Sequence, residues 1–328
     1  MSATVLRAGF LSSVQDLGRP DQRAIGVSLG GALDPQALAV ANLLVGNQIS
    51  AAGLEVTLGE VRIRFDDERL IAWAGGDFSV GVGEAEIGAG HAALVRAGEE
   101  LRLTAPRNGA RAWLSLSGGI EVPMVLGSRA TDLRTIFGGL DGRALRDGDV
   151  LTLGDRSAAA RSITRKIGTA RSAPWRGPTE WISPAPRHPF LRVLRGAEWS
   201  RFSDAAVSAL VSEAFTVGQE SDRMGVRLAG PELTRLINAE LVSEAVVPGT
   251  IQVPPSGQPI LLLGDCQTIG GYPKIAHVIT VDLSSAAQLL PGDEVRFVEV
   301  TLTEAQRLLL ERGRDLERFE IGLELRAS

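Results

Sequence analysis

The stretch GDCQTIGGYPK, residues 264–274, places a carboxylate, a thiol, an amide, a hydroxyl, a phenol and an ammonium within eleven positions. It follows the strand-like run PILLL, and Gly270 and Gly271 allow the backbone to turn back with its N–H groups pointing one way. Such groups bind a carboxylate, a phosphate or a developing oxyanion. A long hairpin whose polar side chains satisfy their own backbone would use similar residues. The density of donors and acceptors exceeds what a turn requires, which favours a functional site.

The side chains of this stretch suit a small polar substrate. Lys274 would supply positive charge, and Asp265 would act as a base or hold a lysine. Three more side chains would fix the substrate through hydrogen bonds: Gln267, Thr268 and Tyr272.

Three other segments place polar side chains on predicted loops. They are VQDLGRPDQRAIGV with Asp16, ESDRMGVRLAG with Arg223, and IQVPPSGQP with Gln252. An arginine in such a place could pair with a substrate carboxylate through two parallel hydrogen bonds. A surface ion pair is the more frequent arrangement for a single arginine, and the residues leave both open.

The single cysteine, Cys266, precedes His277 by eleven residues, and the two side chains suggest a thiol protease. Catalytic histidines usually come from elsewhere in a fold, and a buried, inert thiol is the more common arrangement, so we reject this interpretation. His91, His188 and His277 do not show metal-ligand spacing, and we predict no metal site. The chain also lacks a GxxxxGKS or GxxxxGKT nucleotide loop and a GxGxxG fingerprint after a strand.

The bulk composition excludes several classes of protein. With 328 residues the chain is long enough for two domains, and its net charge of −5 provides no basic field for nucleic acid or anionic lipid. One cysteine cannot form an internal disulfide. No apolar run reaches the roughly 20 residues that cross a bilayer, and no secretory signal is recognisable. We therefore expect a cytoplasmic protein that binds neither nucleic acid nor a membrane.

Short apolar runs between glycine turns indicate a mainly β fold with two β-rich domains and a few helices. We predict the first domain over residues 1–155 and the second over residues 190–300. Residues 156–189 are rich in serine, alanine, arginine and proline, which is typical of a linker. Residues 301–328 are predicted to form a C-terminal helix or tail.

Local signals mark three helices. In LDPQALAVANLLVGN, Asp34 is the predicted N-cap and Pro35 the first helical residue. In SDAAVSALVSEAF, Ser203 stands at the start, and the C-terminal helix opens with a capping-box pattern of Thr303 and Gln306.

Three stretches share a glycine followed by an acid just before a strand: RAGEELRL, LRDGDVLTL and LPGDEVRF. Glycine accepts a positive φ, and the acid can bond to the backbone two residues on. We interpret these as ordinary hairpin turns.

Several stretches together resemble one family. In chain order they are SVQDLGRPDQRAIGV, GALDPQALAVANLLVGN, LEVTLG, SDRMGVRLAG, GTIQVPPSGQPILLLGDCQTIGGYPKIAHVI and LLPGDEVRF. They are similar to the motifs of the 5-oxoprolinase C-subunit family, also called allophanate hydrolase subunit 2, the Kip antagonist or the biotin-dependent carboxyltransferase family. The resemblance covers about residues 5–300, and the stretch 249–279 is its most specific part.

This resemblance implies a cyclophilin-like β-barrel architecture and a place in a heteromeric enzyme. The B subunit would be the direct partner, and the A subunit would complete the ATP-dependent opening of 5-oxoproline to glutamate. Lys274 and the amides of Gly270 and Gly271 would stabilise oxygen charge, and Asp265 would orient or deprotonate. Arg223 would hold the substrate carboxylate. The remaining members of the expected substrate site are Asp16, Gln252, Gln267, Thr268 and Tyr272. We expect the chain alone to be inactive.

The chain departs from the family pattern in three places. The family usually has proline and serine where this chain has Ser28, Leu29 and Gly30, and a second threonine where Ile269 stands. The family treats the position of Cys266 loosely, which argues against a nucleophile.

Two alternatives stay open. One is a carboxyltransferase component of a urea carboxylase-like system, with biotin carried by another chain. The other is a non-enzymatic protein that binds a kinase inhibitor resembling the B subunit.

Overall fold

The computed structural model describes residues 1–182, 187–237 and 241–327 and divides the chain into two compact units. The first unit comprises Met1–Gly18, Asp34–Pro184 and Arg314–Ser328. The second comprises Arg19–Leu33 and Ala185–Gly313. The predicted domain boundaries differ from these units. Residues 19–33, which we predicted in the first domain, belong to the second unit.

The first unit contains two six-stranded sheets. One has the strand order β11-β1-β4-β9-β6-β7 and the other β12-β8-β5-β10-β3-β2. Their bounds are β1 (Ser2–Arg7), β2 (Leu11–Gln15), β3 (Gly53–Thr57), β4 (Val61–Phe65), β5 (Arg69–Gly75), β6 (Val80–Val82), β7 (Ala85–Glu86), β8 (His91–Val95), β9 (Glu100–Leu103), β10 (Arg111–Leu116), β11 (Val150–Thr152) and β12 (Ser172–Arg176). In β4, buried Val61, Ile63 and Phe65 alternate with exposed arginines, as expected for a strand with one face on the core.

Helix α1 (Pro35–Leu44) begins where the sequence predicts. The Asp34 carboxylate accepts hydrogen bonds from the N–H groups of Gln36 (3.1 Å) and Ala37 (3.0 Å), which satisfies two of the four free donors at the helix start. Gly46 follows with a φ of 73°, and a side chain there would meet the backbone of Ala160. The helix packs on β5 and β10.

The segment predicted as a linker is structured in its described part. It contains α2 (Ala158–Ile167), β12 and α3 (Thr179–Ile182), all in the first unit. Ala160, Ile163 and Ile167 recur at helical spacing and are buried, so a polar composition conceals one apolar face.

The second unit is a closed seven-stranded barrel with the order β13-β20-β17-β18-β15-β14-β21. Only β13 and β21 of the described strands pair in parallel in this barrel. The bounds are β13 (Phe190–Arg195), β14 (Ala214–Val217), β15 (Gly225–Ala229), β16 (Glu244–Ala245), β17 (Thr250–Gln252), β18 (Ile260–Leu262), β19 (Ile269–Gly270), β20 (Lys274–Val278) and β21 (Glu294–Glu299). β16 and β19 form a separate two-stranded sheet. The predicted mainly β fold with a barrel is confirmed.

Among the described residues, two α-helices lie in the second unit, and the residues of a third are divided between both units. α4 (Asp204–Ser212) is capped by Ser203, as predicted, whose hydroxyl accepts from the N–H of Ala206 at 3.1 Å. α5 covers Leu283–Ala286, and α6 covers Leu302–Ala327. The predicted start of α6 is wrong by two residues. Thr301, rather than Thr303, accepts from the N–H of Glu304 at 3.2 Å, because the helical turn already begins at Leu302. None of the described helices is long and apolar enough to cross a membrane.

The three glycine-acid turns share one detailed geometry. Their glycines have φ of 81°, 90° and 90° at Gly98, Gly148 and Gly292. Each acid accepts a hydrogen bond from the N–H three residues before it, rather than two residues after it as predicted: Glu99 from Arg96 (2.8 Å), Asp149 from Arg146 (2.7 Å) and Asp293 from Leu290 (2.8 Å). Each glycine N–H also donates to a carbonyl of a neighbouring segment: Phe65, Val5 and Val217, respectively. The interpretation as hairpin turns is wrong, because the strands that follow the turns, β9, β11 and β21, do not pair with the strand that precedes each of them in the chain.

Candidate functional site

The loop from Gly264 to Pro273 connects β18 to β20, and its start is held by a buried ion pair. The Arg223 guanidinium donates to both carboxylate oxygens of Asp265, at 2.8 and 2.9 Å, and to the carbonyl of Gly31 at 2.7 Å. Both side chains are buried. The sequence predicts separate roles for them, as a carboxylate clamp and as a base. In the structure they bind each other in the bidentate geometry typical of arginine and carboxylate.

The end of the loop is held by a second charged cluster around Lys274. Its buried ammonium lies 2.6 Å from Glu244 Oε2 and 3.5 Å from Glu198 Oε2. The Glu198 carboxylate also accepts from the backbone N–H of Lys274, at 2.8 Å. Burial by itself lowers the pKa of Lys274, but the hydrogen bond to Glu244 and the charges of both carboxylates outweigh it, so the pKa is raised. Lys274 is therefore a fixed cation at neutral pH.

The two clusters lie at opposite ends of β18. Leu262, its last residue, pairs with Gly225, and the ladder continues through a hydrogen bond from the N–H of Asp265 to the carbonyl of Arg223. Ile260, its first residue, pairs with Gln252, which in turn pairs with Lys274. The loop thus runs from one end of the barrel to the other, and the polar residues predicted as one centre form two.

Gln252 and the glycines organise the middle of the loop. Gln252 is buried and donates from Nε2 to the carbonyl of Tyr272 at 3.2 Å. Gly270 faces it, since a Cβ atom there would lie 2.8 Å from that same Nε2 atom. Gly270 also pairs with Glu244 in the β16–β19 ladder. The carbonyl of Thr268 extends this ladder by accepting from the N–H of Val246 at 3.0 Å.

The remaining predicted residues differ in exposure. Gln267 and Gly271 are half-buried, and Tyr272 is 46% exposed. Asp16 lies in the first unit, whereas the other predicted site residues all lie in the second. Its oxygens accept from the hydroxyl of Ser128 at 2.5 Å and from the N–H groups of Gly18 and Arg129, at 2.8 and 2.6 Å. This is the contact pattern of a carboxylate that orders its own loop.

Cys266 is fully buried beside Val246 and Leu262, as the sequence predicts. Burial raises the pKa of its thiol to about 11, and the charge of Arg23 opposes this only in part. His277 binds Thr250, with Nδ1 3.2 Å from the hydroxyl, and burial followed by the charge of Lys274 lowers its pKa. A thiol that stays protonated is a poor nucleophile. Among the described residues, no group of three or more His, Cys, Asp and Glu side chains is placed to hold a metal ion.

The sequence interpretation missed Glu198 and Glu244, the two carboxylates that bind Lys274. They lie 76 and 30 residues before it, so no local motif connects them. One signal was available in the composition. Of the 34 lysine and arginine residues, only Lys166 and Lys274 are lysines. A chain that uses arginine almost everywhere for positive charge has kept a compact ammonium at this buried position.

Comparisons with known proteins agree on one family. Residues 25–299 match the model of the carboxyltransferase domain, subdomain A and B. The C subunit of 5-oxoprolinase from Escherichia coli is 37% identical over 96% of this chain and 96% of that protein. The protein of the same name from Haemophilus influenzae is 35% identical over 90% of this chain and 91% of that protein. Among solved structures, Kluyveromyces lactis urea carboxylase matches with a TM-score of 0.85 and 28% identity, covering 98% of this chain and 29% of that chain.

Proposed function

Because the chain belongs to the family of carboxyltransferase domains with subdomains A and B, we propose that it is the C subunit of an ATP-dependent 5-oxoprolinase. Two bacterial relatives that it matches along nearly their whole length carry the name of that 5-oxoprolinase component. The proposed reaction converts 5-oxoproline, ATP and water to glutamate, ADP and phosphate. Homologues of the A and B subunits would be its partners, and the chain alone would be inactive.

The structural observation that best supports this proposal is the permanently charged ammonium of Lys274. A lactam carbonyl is a poor electrophile, so the proposed reaction uses ATP to phosphorylate its oxygen and then lets water attack the carbon. Negative charge develops on oxygen as water adds to the carbon. The C–N bond then breaks, the ring nitrogen takes up a proton and becomes the amino group of glutamate, and a second water hydrolyses the resulting acyl phosphate to glutamate and phosphate. A preorganised ammonium in a water-poor site lowers the energy of such a transition state.

The nucleotide would bind to a partner protein, since this sequence has no phosphate-binding loop of the GxxxxGKS or GxxxxGKT type. The test is 5-oxoproline-dependent ATP hydrolysis with glutamate detection, using this chain and its A-subunit and B-subunit homologues, with each chain omitted in turn. Glutamate formed only in the complete mixture supports the proposal. A stable complex without turnover overturns it and leaves a regulatory binding protein as the better description.

Lys274→Arg tests the ammonium itself. The substitution keeps the charge, but the planar guanidinium is larger and cannot take the same position between Glu198 and Glu244. We expect kcat of the complete complex to fall about 100-fold, as for the loss of one preorganised donor. The matched control is Lys166→Arg, an exposed lysine in the first unit, which should keep the activity. Full activity of Lys274→Arg would place the chemistry elsewhere.

Carboxyl transfer is the second candidate, and the match to urea carboxylase favours it. In that case biotin would arrive on another chain, and Lys274 would stabilise an oxygen anion of the acceptor amide instead. Incubation of the chain and its B-subunit homologue with a carboxylated biotin carrier and an amide distinguishes the two. Transfer of labelled carboxylate to the amide, without glutamate formation in the first assay, would support the second candidate.

A further inference from the structure

Two backbone hydrogen bonds join the turn that follows β13 to the first two residues of β20. The N–H of Gly196 donates to the carbonyl of Ile275 at 2.8 Å, and the N–H of Glu198 donates to the carbonyl of Lys274 at 3.3 Å. A Cβ atom at Gly196 would lie 2.0 Å from the Lys274 carbonyl oxygen, so only glycine allows this approach. The backbone of the turn therefore fixes Glu198 against the first residue of β20.

The Glu198 side chain then contacts both ends of the same lysine. Its Oε2 atom accepts from the backbone N–H of Lys274 at 2.8 Å and lies 3.5 Å from the ammonium. Glu198 itself is buried. Glu244 differs in each respect, because its side chain is 63% exposed, lies on a two-residue strand and reaches only the ammonium. Glu198 is thus the buried, fixed partner of the ammonium, and Glu244 is its exposed partner.

We propose that Glu198 is a positioning residue that aims the Lys274 ammonium and keeps it charged, so that Lys274 acts through its charge and not as a base. This inference rests on the proposed function for its catalytic consequence, but its physical part concerns this chain alone. Without the Glu198 carboxylate, the buried ammonium would lose its only buried counter-charge among the described contacts.

Four charged or titratable groups determine the charge state of this cluster. Glu198 and Glu244 face the ammonium, the nearby His277 is sensitive to the charges of Lys274 and Glu198, and Arg201 acts on Glu244. Glu198→Gln keeps the size of the side chain and an oxygen that can accept from the Lys274 N–H. It removes only the negative charge. Burial, which lowers the pKa of Lys274, is then opposed by one carboxylate instead of two.

The first experiment uses the isolated chain labelled with 13C and 15N in lysine. Because the sequence has two lysines, Lys166→Arg leaves Lys274 as the single lysine signal. We expect the Lys274 side chain to deprotonate at lower pH in Glu198→Gln than in the parent. The control is Glu299→Gln, which removes an exposed partner of Arg195 in the same unit and should leave the titration unchanged. An unchanged titration in Glu198→Gln would overturn the inference.

The second experiment uses the complete complex. We expect Glu198→Gln to lower kcat at least about tenfold with KM changed less than about threefold, because the lost effect acts on the transition state. The alkaline pH at which kcat begins to fall should also move to lower pH, because Lys274 then loses its proton earlier. Substitution of a residue with a merely structural role would not move this pH. Glu198→Asp, which restores the charge on a shorter side chain, should recover part of kcat and the original pH of the fall, and it serves as the second variant if Glu198→Gln folds poorly.

The two proposals fail separately. If the complex does not turn over 5-oxoproline but the Lys274 titration shifts in Glu198→Gln, the proposed function is wrong and Glu198 still positions the cation. If the parent complex is active and Glu198→Gln has the parent kcat and pH profile, the role of Glu198 is overturned while the proposed function stands.

Discussion

Cys266 lies on the loop between β18 and β20, and Lys274 is the first residue after it. Their surroundings raise the pKa of both by different means. Burial disfavours the charged form of each, but Lys274 has two carboxylates that reverse the effect, whereas Cys266 is packed against Val246 and Leu262. A raised pKa keeps the lysine charged and the thiol neutral. The loop therefore contains a buried, unreactive thiol and is followed directly by a permanent cation.

The buried thiol makes the stability of the protein fall as pH rises through the alkaline range. The pKa of Cys266 rises from 9.0 to about 11 on folding, so its contribution is complete below about pH 9. As pH rises from about 9 to 11, the unfolded chain ionises and the folded chain does not, which lowers the free energy of unfolding by about 2 to 3 kcal/mol at most. Urea unfolding of the parent and Cys266→Ala at pH 8 and pH 10.5 measures this, and the variant should lose less stability than the parent over that interval. Equal losses would contradict the shift.

At the scale of elements, the repeated glycine-acid turn is a backbone device used in both units. Gly148 has a φ of 90° and nothing within 4 Å of a built Cβ atom, so Gly148→Ala adds backbone strain without a clash. We expect a loss of about 1 kcal/mol in the free energy of unfolding, the cost of a left-handed conformation for an L-residue. Urea unfolding followed by circular dichroism measures it.

A glycine without positive φ provides the matched control. Gly313 lies inside α6, also with nothing within 4 Å of a built Cβ atom. Gly313→Ala should therefore stabilise by about 0.5 to 1 kcal/mol, because alanine is the better helix former. If both substitutions changed stability in the same direction, backbone conformation would not explain the turn.

Local signals account for the elements that the sequence could predict. Asp34 and Ser203 cap their helices as predicted because an N-cap depends on a few adjacent residues. The predicted linker failed because its buried face, Ala160 and Ile163 among others, is short and masked by serine and arginine. The segment 19–33 could not be assigned to the second unit, because its contacts, such as Gly30 N–H to the carbonyl of Gly264, depend on chain folding.

The candidate site shows the same limit. The density of polar residues singled out the stretch 264–274 with Asp265 and Lys274, and a separate polar segment supplied Arg223. The sequence could not reveal that Arg223 and Asp265 bind each other or that Glu198 binds Lys274. Such pairs join residues 42 and 76 positions apart, and only the register of the barrel brings them together.

At the scale of the whole molecule, apolar side chains remain exposed beside the Lys274 cluster. Ile269 is 59% exposed and Val242 is 85% exposed. Their two segments are neighbours, because β16 pairs with β19 and the backbone carbonyl of Leu241 lies close to Gly271. Neighbouring exposed apolar side chains are typical of a surface that binds another protein. Under the proposed function, the partner that covers them is the B-subunit homologue.

Ile269→Asp tests this surface. A charge placed in an apolar interface must be desolvated without a partner, so we expect the affinity for the B-subunit homologue to fall at least about tenfold. Analytical ultracentrifugation or calorimetry of the two chains measures it. The control is Phe190→Asp, an equally exposed apolar residue at the opposite end of β13 from Glu198, which should bind like the parent. Loss of binding in both variants would indicate general damage to the barrel, and parent affinity in Ile269→Asp would move the contact away from the Lys274 cluster.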